Sequence, residues 1–391
     1  MAARSWLWAM ILLTCASLTC AVVFAPQAGA PPVRALSWLL FTGSSVHVAS
    51  TGWLFTVPAV RAYGQRHLVR CLWVPCAIVV IGAAAAAAIS PAWLQWLLLP
   101  YFGWQLFHYQ KQNIGMTALA ASSGRVRGLL AAERWPLLVA GWAGAAALIA
   151  RPAMLGLRLG PAGSSALVRW QPGHSGAFLH SGQWAVGGVI VLVATAAFVV
   201  SAAAGIAALA KRPRIQRPVG FSVAYLTCLF FFAPAFVFGS PYAAVGGMTI
   251  AHGLQYLLLV TLIAGGAQAS ARGEAPAAGV EASAASPRLS RVVRLALLAN
   301  VAFIGGAALS GASHLHSAGP AGRLIFGAYL GVVMSHFVID AGLWRMREPL
   351  ARNILTTHLP YLVPAKPAIV PRPVLLDAAT DRSAADIECR T

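Results

Sequence analysis

The stretch "GRLIFGAYLGVVMSHFVIDAGLWR" (residues 322–345) decides the fold of this chain. It is long enough to cross a bilayer, since a spanning helix needs about 20 mostly apolar residues. It also carries His336 and Asp340, which are four residues apart and therefore share one face of a helix. The stretch predicts a transmembrane helix with a titratable pair on one face.

The whole chain has the composition of a membrane protein. Of its 391 residues, 59% are hydrophobic and only 9% are charged, whereas soluble proteins carry about 25% charged residues. Strand-like alternation is absent, and a helix satisfies its own backbone polar groups in lipid. We therefore predict an all-α fold, a polytopic transmembrane helical bundle with about ten spans. The predicted spans are 5–25, 35–57, 71–89, 92–121, 135–150, 184–209, 218–239, 241–265, 292–312 and 322–345.

The net charge of +19 follows an alternating pattern along the chain. The N-terminus and the segments after even-numbered spans hold 22 Lys or Arg residues, against 5 in the other connections. Positive residues concentrate on the cytoplasmic side of membrane proteins. Both termini are therefore expected in the cytoplasm, and the bacterial inner (plasma) membrane is the expected location. This pattern accounts for the positive net charge, so no nucleic-acid partner is expected. The run "KRPRIQRP" (211–218) is expected to face anionic lipid headgroups.

The domain organisation follows from the same composition. Residues 1–352 are expected to form the transmembrane helical domain, interrupted by a flexible cytoplasmic loop at 266–291 that is rich in Ala, Ser and Gly. Residues 353–391 are expected to form a Pro-rich cytoplasmic tail. Residues 1–30 are expected to contain a retained first helix, and a cleaved signal peptide is the alternative.

Acidic residues are scarce, and Asp340 is the one that falls inside a predicted span. A charged side chain at the centre of a membrane helix costs about 2.5–3.5 kcal/mol on insertion scales, so it usually has a partner and a function. The scarcity argues against paired-carboxylate acid–base catalysis and against a carboxylate-bridged di-iron site. It also weakens ion-coupled transport that would rely on several buried acids.

Four histidines lie within predicted spans: His47, His108, His252 and His336. Each has polar neighbours three or four residues away, on the same helix face. Imidazole is the commonest protein ligand for iron, copper and zinc. The pattern suggests a metal site held by four helices, and separate interhelical hydrogen bonds are the alternative. The pair His314 and His316 is expected at a solvated loop end.

Further residues qualify as supporting groups. Ligating histidines usually donate their second N–H to a carboxylate, amide or carbonyl. The candidate second-shell partners are Gln105, Gln112, Gln255 and Asp340. Asp340 and Lys111 are candidate catalytic residues, and Lys111 either snorkels or meets a polar substrate head or Asp340. Aromatic residues that can line an apolar substrate pocket are Trp104, Phe107, Tyr109, Tyr256 and Phe337, with lipid contact as the alternative.

Two of these segments, "GWQLFHYQKQNIGM" (103–116) and "SHFVIDAGLWRMREP" (335–349), resemble the Brp/Blh family of membrane proteins, which includes β-carotene 15,15′-dioxygenases. The resemblance implies a catalytic non-haem Fe(II) ion, O2 as co-substrate and carotenoid cleavage to retinal. It also implies iron-ligand roles for the four histidines and a supporting role for Asp340. The surroundings of His47 and His252 do not match the family, which leaves the substrate open.

These observations together predict a membrane-embedded non-haem metal oxygenase or oxidase, with iron as the expected metal. Its substrate would be an apolar, lipid-soluble small molecule that enters from the bilayer. One alternative is a non-redox transporter or permease, because "SPAW" (90–93) and "GSPYAAVGG" (239–247) resemble helix breaks. Another is a haem-b protein in which two histidines bind the haem iron.

Overall fold

The computed structural model describes residues 3–27, 30–157, 186–266, 287–344, 348–360 and 362. Within these ranges every regular element is a helix, which confirms the all-α prediction. Most of the expected loop 266–291 and most of the expected tail lie outside the described residues. Within the described part of that tail, 353–360 and 362, residues 353–358 are helical.

The α-helices are numbered here in chain order. They are α1 (Ala3–Val23), α2 (Arg34–Phe41), α3 (His47–Leu54), α4 (Pro58–Arg66), α5 (Val74–Ala88), α6 (Pro91–Ser123), α7 (Ala131–Ile149), α8 (Val186–Ala210), α9 (Val219–Leu229), α10 (Pro234–Val237), α11 (Gly247–Gly265), α12 (Pro287–Ser313), α13 (Pro320–Leu343) and α14 (Pro349–His358). Three π-helical turns lead directly into α3, α5 and α11: Thr42–Val46, Val69–Trp73 and Tyr242–Gly246.

Six helical segments of the described chain are long and apolar enough to cross a membrane. They are Arg4–Val23, Val69–Ala88, Val186–Ala210, Tyr242–Gly265, Ser290–His316 and Pro320–Leu343. These segments imply an integral, multi-pass protein in a lipid bilayer. The count of about ten spans and the cytoplasmic location of both termini stay predictions.

Of the predicted spans, one ends early and another is divided in two, in each case near a proline. The span expected over 35–57 ends at Leu54, because Pro58 disfavours a helical conformation at the preceding Val57, whose backbone is extended. The span expected over 218–239 is divided between α9 and α10. Pro234 opens α10, and a proline ring clashes with the carbonyl four residues earlier in a continuous helix.

The first helix is part of the core. Trp6 and Met10 of α1 are fully buried, and the Gln255 side chain of α11 donates a hydrogen bond of 2.9 Å to the Thr14 hydroxyl. Helix α1 packs against both α11 and α9. Whether this helix is retained or cleaved as a signal peptide stays a prediction.

A buried ion pair joins the start of α7 to the chain that follows α8. The Arg212 guanidinium donates to both carboxylate oxygens of Glu133, and Arg212 Nη2 also donates to the Gly128 carbonyl at 3.0 Å. The Tyr225 hydroxyl donates to the Glu133 carbonyl at 2.9 Å. The expectation that the whole basic run 211–218 faces lipid headgroups was therefore wrong for Arg212. Its charge is buried because Glu133 neutralises it and backbone carbonyls accept its remaining donors.

The histidine-bearing helices cross at glycines. A Cβ atom on Gly253 of α11 would lie 2.2 Å from the Gly43 carbonyl oxygen, and one on Gly43 would lie 2.5 Å from the Ile250 Cα atom. Gly43 belongs to the π turn before α3, one helical turn before His47, and Gly253 follows His252 directly. Small residues let membrane helices approach this closely. The crossing therefore brings the two histidines together.

A second glycine contact positions α13. A Cβ atom on Gly327 would lie 2.2 Å from the Gly82 carbonyl oxygen, and one on Gly331 would lie 2.5 Å from the Val79 Cα atom. Helices α5 and α13 therefore pack backbone to backbone over more than one turn. Gly331 lies five residues before His336, so this contact helps to set the depth and rotation of the segment that carries the His336–Asp340 pair.

We expect Gly253→Ala to destabilise the protein by about 1–3 kcal/mol, because the added methyl group overlaps a backbone carbonyl that cannot move without separating the helices. Thermal unfolding in detergent measures the effect. Gly311→Ala is the matched control, since a Cβ atom on Gly311 meets nothing within 4 Å. Equal melting temperatures for the two variants would contradict this account of the crossing.

Candidate metal centre

The four predicted histidines meet in the interior of the bundle. His47 is the first residue of α3, His108 lies midway along α6, His252 is on α11 and His336 is on α13. All four side chains are buried, although they come from helices that are distant in the sequence. The structure thus brings together the whole set that the sequence nominated.

The imidazoles form a closed ring, which is called the histidine ring below. Its centroid separations are 5.0 Å for His47–His252, 5.0 Å for His252–His108, 5.2 Å for His108–His336 and 5.1 Å for His336–His47. Neighbouring rings meet edge to face, at 71–90°. Each histidine therefore contacts two others across helix boundaries.

Most nitrogens of the histidine ring have no hydrogen-bond partner of normal geometry among the described residues. They are both ring nitrogens of His47, both of His252, Nε2 of His108 and Nε2 of His336. A buried polar group without a partner costs about 1–3 kcal/mol. Six such atoms in one place would be a large penalty in a stable protein, and a shared positive ligand would relieve it.

The nitrogens are arranged so that a metal ion can be held. One ligand atom from each of His47, His252 and His336 lies within 4.8 Å of the others, and the same holds for His108, His336 and Asp340. Metal–nitrogen bonds of about 2.1 Å place opposed ligands about 4.2 Å apart. A small inward movement of the side chains would satisfy either triad. His336 belongs to both, so the two triads describe one continuous centre.

Asp340 is tied to the histidine ring by a network of hydroxyl groups. Its Oδ2 lies 3.6 Å from His336 Nε2, and its Oδ1 accepts a hydrogen bond of 3.1 Å from the Tyr256 hydroxyl. The Tyr256 hydroxyl lies 2.8 Å from Thr51 Oγ1, which lies 2.7 Å from His336 Nδ1. The four side chains form a closed loop that joins α3, α11 and α13.

The loop has a preferred direction when Asp340 is ionised. A carboxylate only accepts hydrogen bonds, so Tyr256 donates to Asp340, Thr51 donates to Tyr256, and His336 Nδ1–H donates to Thr51. In that order His336 Nε2 carries no proton and lies 3.6 Å from Asp340 Oδ2, so both atoms can act as ligands to a cation. Such fixing of the tautomer by the second ring nitrogen is characteristic of metal-binding histidines.

The three glutamines that were predicted to support the metal ligands form hydrogen bonds with the helices around the histidine ring. Gln105 donates to the Tyr109 hydroxyl at 2.6 Å, and Gln112 donates to the His252 carbonyl at 2.9 Å and to the Gln255 side-chain oxygen at 3.0 Å. Gln255 in turn donates to Thr14 of α1. These bonds position the helices that carry His108 and His252, and they do not reach an imidazole nitrogen.

A cavity of about 260 Å³ adjoins the histidine ring and is lined by both His108 and Asp340. Four of the five predicted pocket aromatics line it as well: Trp104, Phe107, Tyr256 and Phe337. Lys111 also lines this cavity, with its ammonium 5.8 Å from the centre of the Phe107 ring. These residues therefore line one cavity beside the candidate centre, and their role as a substrate pocket stays a prediction.

Tyr109, the fifth aromatic, does not line that cavity. Its ring stacks on His252 at 4.2 Å, and its hydroxyl lies 3.1 Å from Thr249 Oγ1. Tyr109 is buried and helps to hold His252 in place. Its position next to His108 in the sequence gave no indication of this role, because the contact is made to another helix.

Thr51 belongs to the candidate centre, although the sequence assigned it no role beyond that of a polar neighbour of His47 on the same helix. Its hydroxyl contacts His336, 285 residues away. The π turn Thr42–Val46 immediately before His47 is a second signal, since such turns often occur at functional sites. The pair His314 and His316 is exposed in the turn after α12, away from the core.

No family model matches the chain, and no curated protein or solved structure matches it. The chain is therefore assigned to no family.

We expect Thr51→Val to lower the affinity for a divalent metal by about 10–100-fold, because loss of the hydroxyl frees the His336 tautomer and breaks the loop to Asp340. Titration with Co(II) against a competing chelator measures this affinity. Thr227→Val is the matched control, since the Thr227 hydroxyl donates to the Val223 carbonyl of its own helix. An unchanged affinity in Thr51→Val would contradict the assigned role.

Proposed function

We propose that this protein is a membrane-embedded non-haem metal oxygenase that acts on an apolar, lipid-soluble substrate, with Fe(II) as its metal and O2 as co-substrate. The observation that carries the proposal is the histidine ring: four imidazoles from four helices, with six buried nitrogens that have no hydrogen-bond partner of normal geometry among the described residues. Separate interhelical hydrogen bonds, the simpler interpretation, would have satisfied these atoms.

The donor set supports a first-row transition metal. Imidazole nitrogens suit iron, copper, zinc and nickel, whereas calcium and magnesium prefer sets of oxygen ligands. The ion would be held within the two triads, His47–His252–His336 and His108–His336–Asp340, in each of which the ligand atoms lie within 4.8 Å of one another. When bound, a ferrous ion supplies the O2 chemistry that an unactivated hydrocarbon requires.

The residues around the centre suit an apolar reaction partner. Phe337 stacks on His108 at 4.5 Å, and Trp104 contacts Phe337 edge to face at 5.9 Å. These rings exclude water from the side of the histidine ring that faces the cavity. Asp340 is the carboxylate at the cavity wall, so it can accept a proton there, and the Tyr256 hydroxyl holds it in place by donating a hydrogen bond to Oδ1.

Carotenoid cleavage is one reaction within this class. The two segments that resemble Brp/Blh proteins, 103–116 and 335–349, carry His108 and the His336–Asp340 pair. Cleavage of a carotenoid to retinal is therefore the first activity to test. Retinal accumulation in carotenoid-producing bacteria that express the chain would support it, and unchanged carotenoids would point to another lipid-soluble substrate.

The geometry favours a non-haem ion over haem b. Two axial histidines must lie on opposite faces of a porphyrin, with a wide flat slot between them. Here every imidazole has two imidazole neighbours at 5.0–5.2 Å, which leaves no such slot within the histidine ring. A permease without redox chemistry gives no reason for six unpartnered ring nitrogens.

The purified protein is expected to contain about one iron ion per chain and no Soret band, and His108→Ala, His252→Ala and His336→Ala are each expected to lose most of that metal. Elemental analysis and an optical spectrum measure both properties. His316→Ala is the control, because His316 is exposed at the end of α12. Full metal occupancy in all three variants would refute the proposal, a Soret band would favour haem, and metal-free wild-type protein would favour a permease.

A further inference from the structure

The cavity beside the histidine ring follows α6 for several turns. Its lining on this helix runs from Trp104 at one end to Leu119 at the other. Trp104, Phe107 and Lys111 form an outward stripe of exposed side chains, whereas His108 on the adjacent face is buried. The cavity therefore opens sideways past the outward stripe and ends at the candidate metal centre.

The mouth of this cavity carries a positive charge. Two charged side chains line the cavity among the described residues, Lys111 and Asp340. Asp340 is buried and accepts a hydrogen bond from Tyr256, whereas Lys111 is exposed at the opening, over the face of Phe107. A substrate that enters from the bilayer would meet Lys111 before it meets the histidine ring.

A lysine at this position is unfavourable unless it has a function. Helix α6 is a predicted span, and ionisable residues within spans are costly and typically mark substrate or ion pathways. The chain has three lysines, and the other two, Lys211 and Lys366, lie outside the predicted spans.

We propose that the cavity binds a single-chain apolar anion, with its carboxylate or phosphate head at Lys111 and its chain along the aromatic wall. This inference rests on the proposed function, since it assigns the substrate class of the same site. A volume of about 260 Å³ is near the lower end for small-molecule sites. It therefore favours one chain over a two-chain phospholipid.

The position of Lys111 also limits where the substrate reacts. Lys111 follows His108 by three residues, which is about 4.5 Å along a helix axis. A head group at Lys111 would thus hold the neighbouring carbons of its chain against His108. A symmetric hydrocarbon such as β-carotene has no group for Lys111 to bind. A head group bound at Lys111 therefore favours oxidation near the polar end of an amphiphile.

The test is native mass spectrometry of the full-length protein released from detergent, after incubation with hexadecanoate, hexadecyl phosphate or hexadecanol at equal concentrations. The wild-type protein should hold either anion at least about tenfold more than the alcohol, the size expected of a charge-assisted contact in a desolvated mouth. Lys111→Met should reduce this preference to about twofold or less, and Lys111→Arg should keep it. Lys211→Met is the matched control and should behave as wild type.

Each outcome decides the inference. Equal binding of the alcohol and both anions by the wild-type protein would overturn it, and so would an unchanged preference in Lys111→Met. A preference for one anion over the other identifies the head group as carboxylate or phosphate. The same spectra show by mass whether the wild-type protein carries a metal. A wild-type protein that prefers anions but carries no metal would refute the proposed oxygenase and still support the anion site.

Discussion

Polar side chains in this bundle must find their partners on other helices, because the surrounding lipid supplies no hydrogen bonds. Glu133 and Arg212 meet this constraint fully, since each neutralises the other and backbone carbonyls take the remaining donors. Thr51 and Tyr256 meet it by bonding to each other and to groups of the centre. Six nitrogens of the histidine ring have no such partner among the described residues, and for this reason a ligand is assigned to the ring.

The centre depends on close approach of helix backbones. Gly43 and Gly253 allow α11 to touch the π turn that precedes His47, and Gly82 and Gly327 allow α13 to lie directly on α5. Without hydrophobic driving force between helices in lipid, such packing supplies much of the association energy. The glycines thus matter to chemistry as well as to stability, because they set the separations within the histidine ring.

Helix α6 links the centre to the outside of the bundle. Its buried face supplies His108, and its exposed face supplies Trp104 and Lys111 at the cavity mouth. One rigid helix therefore positions a candidate ligand and a candidate substrate-binding charge in a fixed register. This arrangement explains why a predicted span in an apolar chain carries polar residues on more than one face.

The sequence by itself determined that this protein folds in lipid, and it identified the polar residues within the predicted spans. A chain with 9% charged residues and repeated apolar runs has to fold as helices in lipid, and it could be read as carrying four intramembrane histidines and one carboxylate. Spacing along a helix also placed polar neighbours beside each histidine. These are local properties, so they can be predicted without knowledge of the packing.

Only the tertiary structure decided which faces meet. It closed the four imidazoles into a ring, joined Thr51 to His336 across 285 residues, placed Tyr109 against His252 and buried Arg212. Residue spacing tells which side chains share a helix face, but the rotation and crossing of helices determine what that face contacts. For α3, α11 and α13, glycine contacts between segments that are far apart in the sequence help to set both.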